Sequence, residues 1–253
     1  RKFPGTPFSI TGSMDISQNM RDTTVSLTLP NLSINMSTRY PFKRKTRVGP
    51  ERWYEKLSVG YSGQLRNSIL TKEKDLLQSN LVRDWKNGMR HSVPISLTVP
   101  LLDYINLTMG VNYNEWWYTK GIWKSWNEDK KTFLPSDTTY KFRRLYDYSL
   151  SAGLSTTLYG MFKPWKPFSF GGNLIMIRHR FTPTVSFSYM PDFTKRRYGF
   201  WELLEHTDQN GKLHTLLYSP YFEQIFGAPS MGNAGSVNFS FDNNLEAKIT
   251  SKS

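Results

Sequence analysis

Few residues in this chain are of a type and spacing that could carry chemistry. Its histidines, His91, His179, His206 and His214, show no HExxH pair, the spacing that sets two imidazoles on one helix face around zinc. The run Gly60-Tyr61-Ser62-Gly63 lacks the G-x-S-x-G order of a nucleophile elbow. Asp and Glu are scattered through loop-like stretches, so no hydrolytic carboxylate pair can be nominated. Cysteine is absent, which removes disulfides, thiolate metal sites and cysteine nucleophiles together. Asn31, Asn35, Asn106 and Asn238 each begin an N-x-[ST] triplet, but a Ser/Thr/Asn-rich alternating strand generates such triplets by chance. With no acid, base and nucleophile to assemble, the chain is not expected to be an enzyme or to hold a metal or cofactor.

The basic residues point to a different kind of chemistry. Lys and Arg number 33 against 20 Asp and Glu, a formal charge of +13, which implies an anionic partner. They gather as Lys43-Arg44-Lys45 with Arg47, Lys130-Lys131, Lys141 with Arg143 and Arg144, Arg178-His179-Arg180, and Lys195-Arg196-Arg197. Nucleic acid, a lipid headgroup surface and a phosphorylated ligand all fit such a charge, and a solvated surface is the commonest meaning of any one charge run. No RNP or other nucleic-acid signature accompanies them, so nucleic acid is not an expected partner. Anionic lipid is the favoured one, because charge-assisted Arg/Lys–phosphate pairs are strong enough to fix a headgroup. Arg178 and Arg180 are the foremost candidates, followed by Lys195, Arg196, Arg197, Arg143 and Arg144; a packing or register role for the Arg178 segment competes with this reading.

The elements that position these residues are strands. Apolar and polar residues alternate with period two from Phe8 to Ser17, from Thr24 to Leu29, and again from Leu57, Ser92, Ile105, Tyr148, Phe181 and Val237. After Pro30 the apolar phase slips by one, to Leu32, Ile34 and Met36, which predicts a bulge or tight turn at Pro30-Asn31 because a one-residue slip reverses every side chain. About eight strands result, several of 10 residues or more, longer than the roughly five or six usual in globular sheets and matched to the roughly 9–11 of a tilted membrane strand. Their polar sides carry Ser, Thr and Asn more than Lys and Glu. No apolar run approaches the roughly 20 residues of a membrane helix, mean hydropathy is −0.53, and yet 15% of residues are aromatic.

These features predict an all-β fold: an antiparallel transmembrane β-barrel segment within one outer-membrane domain spanning residues 1–253. Long polar loops are expected near 68–88, 116–145 and 191–232, with a short helix at 200–205. Outer-membrane barrels pair short periplasmic turns with long extracellular loops, so 100–103, 40–54 and the linker at 161–173 (with Pro164, Pro167 and Gly171-Gly172) are assigned to the periplasm and the 18–22 turn to the outside. Trp53, Tyr54, Trp116, Trp117, Tyr118, Tyr159 and Tyr189 fall where strands meet loops, as an interfacial girdle requires; ordinary strand-end core aromatics are the alternative. The chain begins in mid-pattern at Arg1 without a signal peptide and reads as mature protein and as a segment of something longer.

The stretch Ile177-Arg178-His179-Arg180-Phe181-Thr182-Pro183, continuing through Val185 to Pro191-Asp192-Phe193, resembles the C-terminal half of the lipopolysaccharide-assembly outer-membrane protein family (LptD/OstA), in its Bacteroidetes form. Thr157-Leu158-Tyr159-Gly160, Asn243-Asn244-Leu245-Glu246-Ala247-Lys248, Leu29-Pro30-Asn31-Leu32 and Tyr40-Pro41-Phe42-Lys43 are similar to it as well. The resemblance implies a large barrel in the bacterial outer membrane that passes lipopolysaccharide sideways through a seam into the outer leaflet. It also implies a plug lipoprotein (LptE-like) in the lumen and a periplasmic bridge protein (LptA-like) as supplier. A porin or a TonB-dependent transporter would share the strands, and a soluble β-sandwich binding polysaccharide or nucleic acid is the rival of another class.

Overall fold

The computed structural model describes residues 5–46, 48–102, 104–163 and 174–249; the turn chemistry anticipated at Asp103, Pro164, Pro167 and Gly171-Gly172, and the basic Arg47, lie outside them. Thirteen strands account for almost all regular structure: β1 (Phe8–Asn19), β2 (Thr24–Arg39), β3 (Leu57–Lys72), β4 (Lys86–Leu101), β5 (Ile105–Tyr118), β6 (Gly121–Asn127), β7 (Thr132–Thr139), β8 (Arg143–Thr156), β9 (Leu158–Phe162), β10 (Leu174–Met190), β11 (Glu202–Thr207), β12 (Leu213–Tyr218) and β13 (Ala234–Ile249). Nine form one antiparallel sheet in the order β1-β2-β3-β4-β5-β8-β10-β13, with β9 also on β10. Since β8 and β9 are separated only by Thr157 and pair successive parts of β10, the sheet has eight positions. β1 and β13 are its edges.

Register explains why these segments pair as they do. Across six strands Leu57, Leu97, Met109, Ala152, Phe187 and Val237 stand in one row, each opposite the next. One residue away, Ser58, Ser96, Gly110, Ser151, Ser188 and Ser236 form the matching row on the opposite face. Any slip of one residue would mix the two rows. At Pro30 the pairing of β2 shifts by one residue against both β1 and β3, the bulge expected from the phase slip. Proline has no N–H to give the ladder, so a bulge is where a strand tolerates it.

The apolar face is uncovered along most of its length, and only at one end is it packed against, as where Phe193 meets Tyr146 and Tyr148. Phe239 is 66% exposed and Leu245 69%, and Val185, Phe187, Leu150, Leu154, Met109 and Val111 are also exposed. A β-sandwich would bury this face under a second sheet, so that alternative is excluded by the architecture.

Three sequence expectations need correction. Residues 200–205 are not a helix: β11 pairs with β12 as a hairpin around Asn210-Gly211, with Gly211 at φ 77°. The Asn-Gly turn is a strong hairpin signal, and Leu203 and Leu204, neighbours in a strand, point to opposite faces. Second, the first two of the three expected loops are shorter than expected. β3 continues to Lys72, β4 starts at Lys86, β5 continues to Tyr118 and β8 starts at Arg143. Third, the 116–145 stretch is largely ordered as the β6–β7 hairpin. The two hairpins meet where Trp126 packs against His206 and His214, each ring 4.6 Å away. Strand alternation sets 20–23, 73–85, 119–142 and 191–233 at one end of the sheet and, among the described residues, 40–46, 48–56, 102 and 104 at the other.

Candidate functional site

The polar face is laced by side-chain hydrogen bonds that run from strand to strand. Asn31 Nδ2 donates to Ser13 Oγ and Gln64 Nε2 to Asn31 Oδ1, both at 3.1 Å, linking β1, β2 and β3. Ser58 and Ser96 hydroxyls lie 2.7 Å apart, Thr98 and Thr108 3.3 Å, and Ser188 and Ser236 2.7 Å. Asn114 Nδ2 donates to Asp147 Oδ1 at 2.9 Å. Such groups exchange hydrogen bonds with water or sugar hydroxyls at little net gain or loss, so the surface wets without gripping.

Basic side chains sit on this face at two heights. Arg178 and Arg180 share the face of Asn244 and Glu246 and stand opposite Met161 and Tyr159 of β9, at the end away from the 191–233 segment. Arg178 Nη2 lies 2.5 Å from Glu246 Oε2, both about half exposed; a pair so hydrated is worth roughly 0–1 kcal/mol. At the other end Arg66 and Arg90 stand on β3 and β4, with Arg143 on β8, two strands across from Arg90's strand. Arg144, one residue on, faces the apolar side with Glu115 3.7 Å away. Lys195, Arg196 and Arg197 are exposed in the 191–233 segment, and Arg197 lies over the Tyr198 ring at 4.6 Å. The structure therefore does not gather the seven candidate cations into one site; it spreads them over two ends and two faces.

The 191–233 segment folds back onto the sheet. Tyr221 stacks on Tyr118 at 6.0 Å and 6°, the Tyr118 hydroxyl donates to the Gly227 carbonyl at 2.7 Å, and a Cβ on Gly88 would meet Ile225 at 2.7 Å. Gly88, Tyr118 and Arg143 occupy one row of the polar face, so the segment covers that face at its end. Burial among these rings, against the opposing pull of Arg143, holds the Tyr221 phenol above its ordinary pKa. The segment is closed at its base by Asp192, whose Oδ1 accepts from Thr194 N, Thr194 Oγ1 and Gly232 N at 2.9, 2.6 and 3.1 Å. The Thr194 bonds come first in lowering the Asp192 pKa. Phe193, fully buried, packs on Tyr148 and Tyr146. The Pro191-Asp192-Phe193 motif is thus a latch where the chain leaves and re-enters the wall.

The aromatic candidates divide accordingly. Trp116 (5% exposed) and Tyr118 (0%) are buried on the polar face beneath the returning segment, which corrects their expected place at a lipid boundary: register assigns them to the face that the segment covers. Trp117 and Tyr189 are exposed on the apolar face; Tyr159 is exposed on the polar side, opposite Arg180. Trp53 is exposed and Tyr54 half-buried in the 3-10 turn before β3. Sequence reasoning passed over Arg90, a lone arginine outside every basic cluster, although its shared parity with Ser92 and Ser96 was the available signal. It also passed over Trp85, which is buried with its indole N–H donating to Ser79 at 3.1 Å.

Among the described residues no group of three or more His, Asp or Glu could hold a metal ion. Compared with known proteins, the whole chain, residues 1–253, matches the family model described as LptD protein. No curated protein and no solved structure matches it.

Proposed function

The chain belongs to the LptD family, an outer-membrane family of lipopolysaccharide transport and assembly, and on that premise we propose that it is part of the barrel wall through which lipopolysaccharide reaches the outer leaflet. The observation that carries this reading is the two-faced sheet: an apolar side left uncovered along most of its length across eight strand positions, backed by a side of hydroxyls and amides. A lipid bilayer satisfies the first and a hydrated lumen the second. Seven strands of the sheet, β2 to β5, β8, β10 and β13, run 14–17 residues, long enough to cross a bilayer at a tilt.

The work is translocation without bond chemistry. Acyl chains stay on the apolar side, while the sugar part moves along a surface that replaces its hydration with hydrogen bonds of similar strength. In this reading the end bearing 73–85, 119–142 and 191–233 is extracellular, and the end bearing 40–46 and 48–56 is periplasmic. Arg178 and Arg180 then meet phosphates on entry, while Arg143, Arg144, Lys195, Arg196 and Arg197 lie at the outer rim. Trp117 and Tyr189 suit headgroup depth. A plug lipoprotein (LptE-like) inside the lumen and a periplasmic bridge protein (LptA-like) complete the pathway.

Depletion of the full-length protein in its own cells tests the reading. Newly made lipopolysaccharide should stop reaching the cell surface within a generation or so while porins are still inserted. Unchanged surface lipopolysaccharide after depletion would overturn it.

A further inference from the structure

We infer that β2, β3 and β4 carry a binding subsite for a phosphorylated sugar, centred on Arg90 and flanked by Arg66, just inside the end of the sheet covered by the 191–233 segment. The proposal rests on the lipopolysaccharide reading above and deepens it by naming a place on the wall.

A depression in the polar face is lined by Ser33, Asn35, Ser62, Gln64, Arg90 and Ser92. Register explains its composition: Ser33, Gln64 and Arg90 form one row, and Asn35, Ser62 and Ser92 the next. Five neutral hydrogen-bonding groups therefore surround one guanidinium, the mixture that a sugar hydroxyl ring bearing one phosphate requires.

The guanidinium lies against a ring, and Asp147, two strands away on the same face, acts on it only as a charge at longer range. Arg90 lies over the Trp116 ring at 5.7 Å and Arg66 over Phe226 at 6.0 Å. Among the described residues neither arginine has an ion pair within 4.0 Å. Stacking uses the π face of a guanidinium and leaves its N–H edge free to donate. Arg66 Nε is buried without a hydrogen-bond partner, a cost that an incoming phosphate oxygen would relieve. Gly88, between the two arginines, lets Ile225, Tyr118 and Phe226 approach where any side chain would collide. The aromatic segment thus forms a roof on one side of the depression and lowers the local dielectric, which strengthens charge pairing beneath it.

The contrast with Arg178 is informative. That arginine is already answered by Glu246 at 2.5 Å, whereas neither Arg66 nor Arg90 has a carboxylate in contact among the described residues, Asp147 reaching Arg90 only at longer range.

The test uses the full-length protein in lipid nanodiscs, with Ser62→p-benzoylphenylalanine on the floor of the depression and Leu97→p-benzoylphenylalanine on the apolar face as control. Probes are diphosphoryl lipid A and the same lipid stripped of phosphate. We expect Ser62 to label the phosphorylated lipid at least tenfold more strongly, and Arg90→Gln or Arg66→Gln to abolish that preference. Arg90→Lys should retain part of it, and Leu97 should label both lipids equally in every variant. Equal labelling of the two lipids from Ser62, or a preference untouched by either substitution, would overturn the subsite and leave transport standing. Labelling of neither lipid from Ser62 alongside normal labelling from Leu97 would overturn the transport reading as well. Millimolar inorganic phosphate separates the sources: if it erases the Ser62 signal, the site is one for free phosphate and the glycolipid assignment fails.

Discussion

Asp192 does more for this molecule than any of the arginines that surround it in sequence. One carboxylate oxygen gathers three donors from Thr194 and Gly232, and the Asp192 N–H donates to Asn233 Oδ1 at 2.8 Å. Both ends of a 40-residue excursion are thereby tied together. Replacing Asp192 by Ala should leave the wall folded but free the segment, read as faster trypsin cleavage at Lys195 to Arg197. The pH dependence has a definite sign. These hydrogen bonds lower the carboxyl pKa beneath its ordinary 3.8, so the latch's contribution is present above that value and is lost as pH falls through the lower folded value. Cleavage by an acid protease should therefore rise only below about pH 3.8. Gly88→Val tests the roof: its Cβ would stand 2.7 Å from Ile225 and 2.8 Å from Tyr118, overpacking that costs about 1–3 kcal/mol. The same proteolysis should show the segment lifted, with the strands beneath still protected.

At the scale of elements, each strand has one side for hydrocarbon and one for water, so adjacent residues should respond oppositely to the same change. Leu150 and Ser151 are neighbours in the middle of β8, on the apolar and polar faces respectively. Leu150→Arg should destabilise the folded protein in lipid vesicles by about 2–4 kcal/mol, the cost of a cation at mid-depth on the lipid side. Ser151→Arg should cost well under half as much. Urea titration of the two variants in the same vesicles checks the difference, and equal losses would mean that the faces are wrongly assigned. The hairpins obey a different rule. β6–β7 and β11–β12 are held by Trp126 between two histidines and by Lys124 against Glu223 at 3.0 Å, contacts between residues about 80 or more positions apart.

For the whole molecule, the consequence of an uncovered apolar face is dependence on an amphiphile. Full-length protein diluted out of detergent should aggregate, while lipid nanodiscs should keep it monodisperse by light scattering. A folded, monodisperse product in plain buffer would contradict the two-faced wall.

The strands of the wall, their eight positions, the bulge at Pro30 and the division into apolar and polar faces were legible in the sequence, because alternation with period two is local and each slip leaves a visible mark; the hairpins β6–β7 and β11–β12 were not. The resemblance to the family lay in short motifs such as Pro191-Asp192-Phe193, whose latch geometry no spacing could reveal. What only tertiary structure decided was everything carried by long-range contact. That includes the return of 191–233 onto Trp116 and Tyr118, the pairing of the two hairpins, and the placing of Arg66 and Arg90 diagonally on neighbouring strands without a carboxylate in contact. A strand's faces are set by residues one or two positions away, but which distant segment covers a face depends on the docking of side chains a hundred residues apart, and alternation says nothing about that.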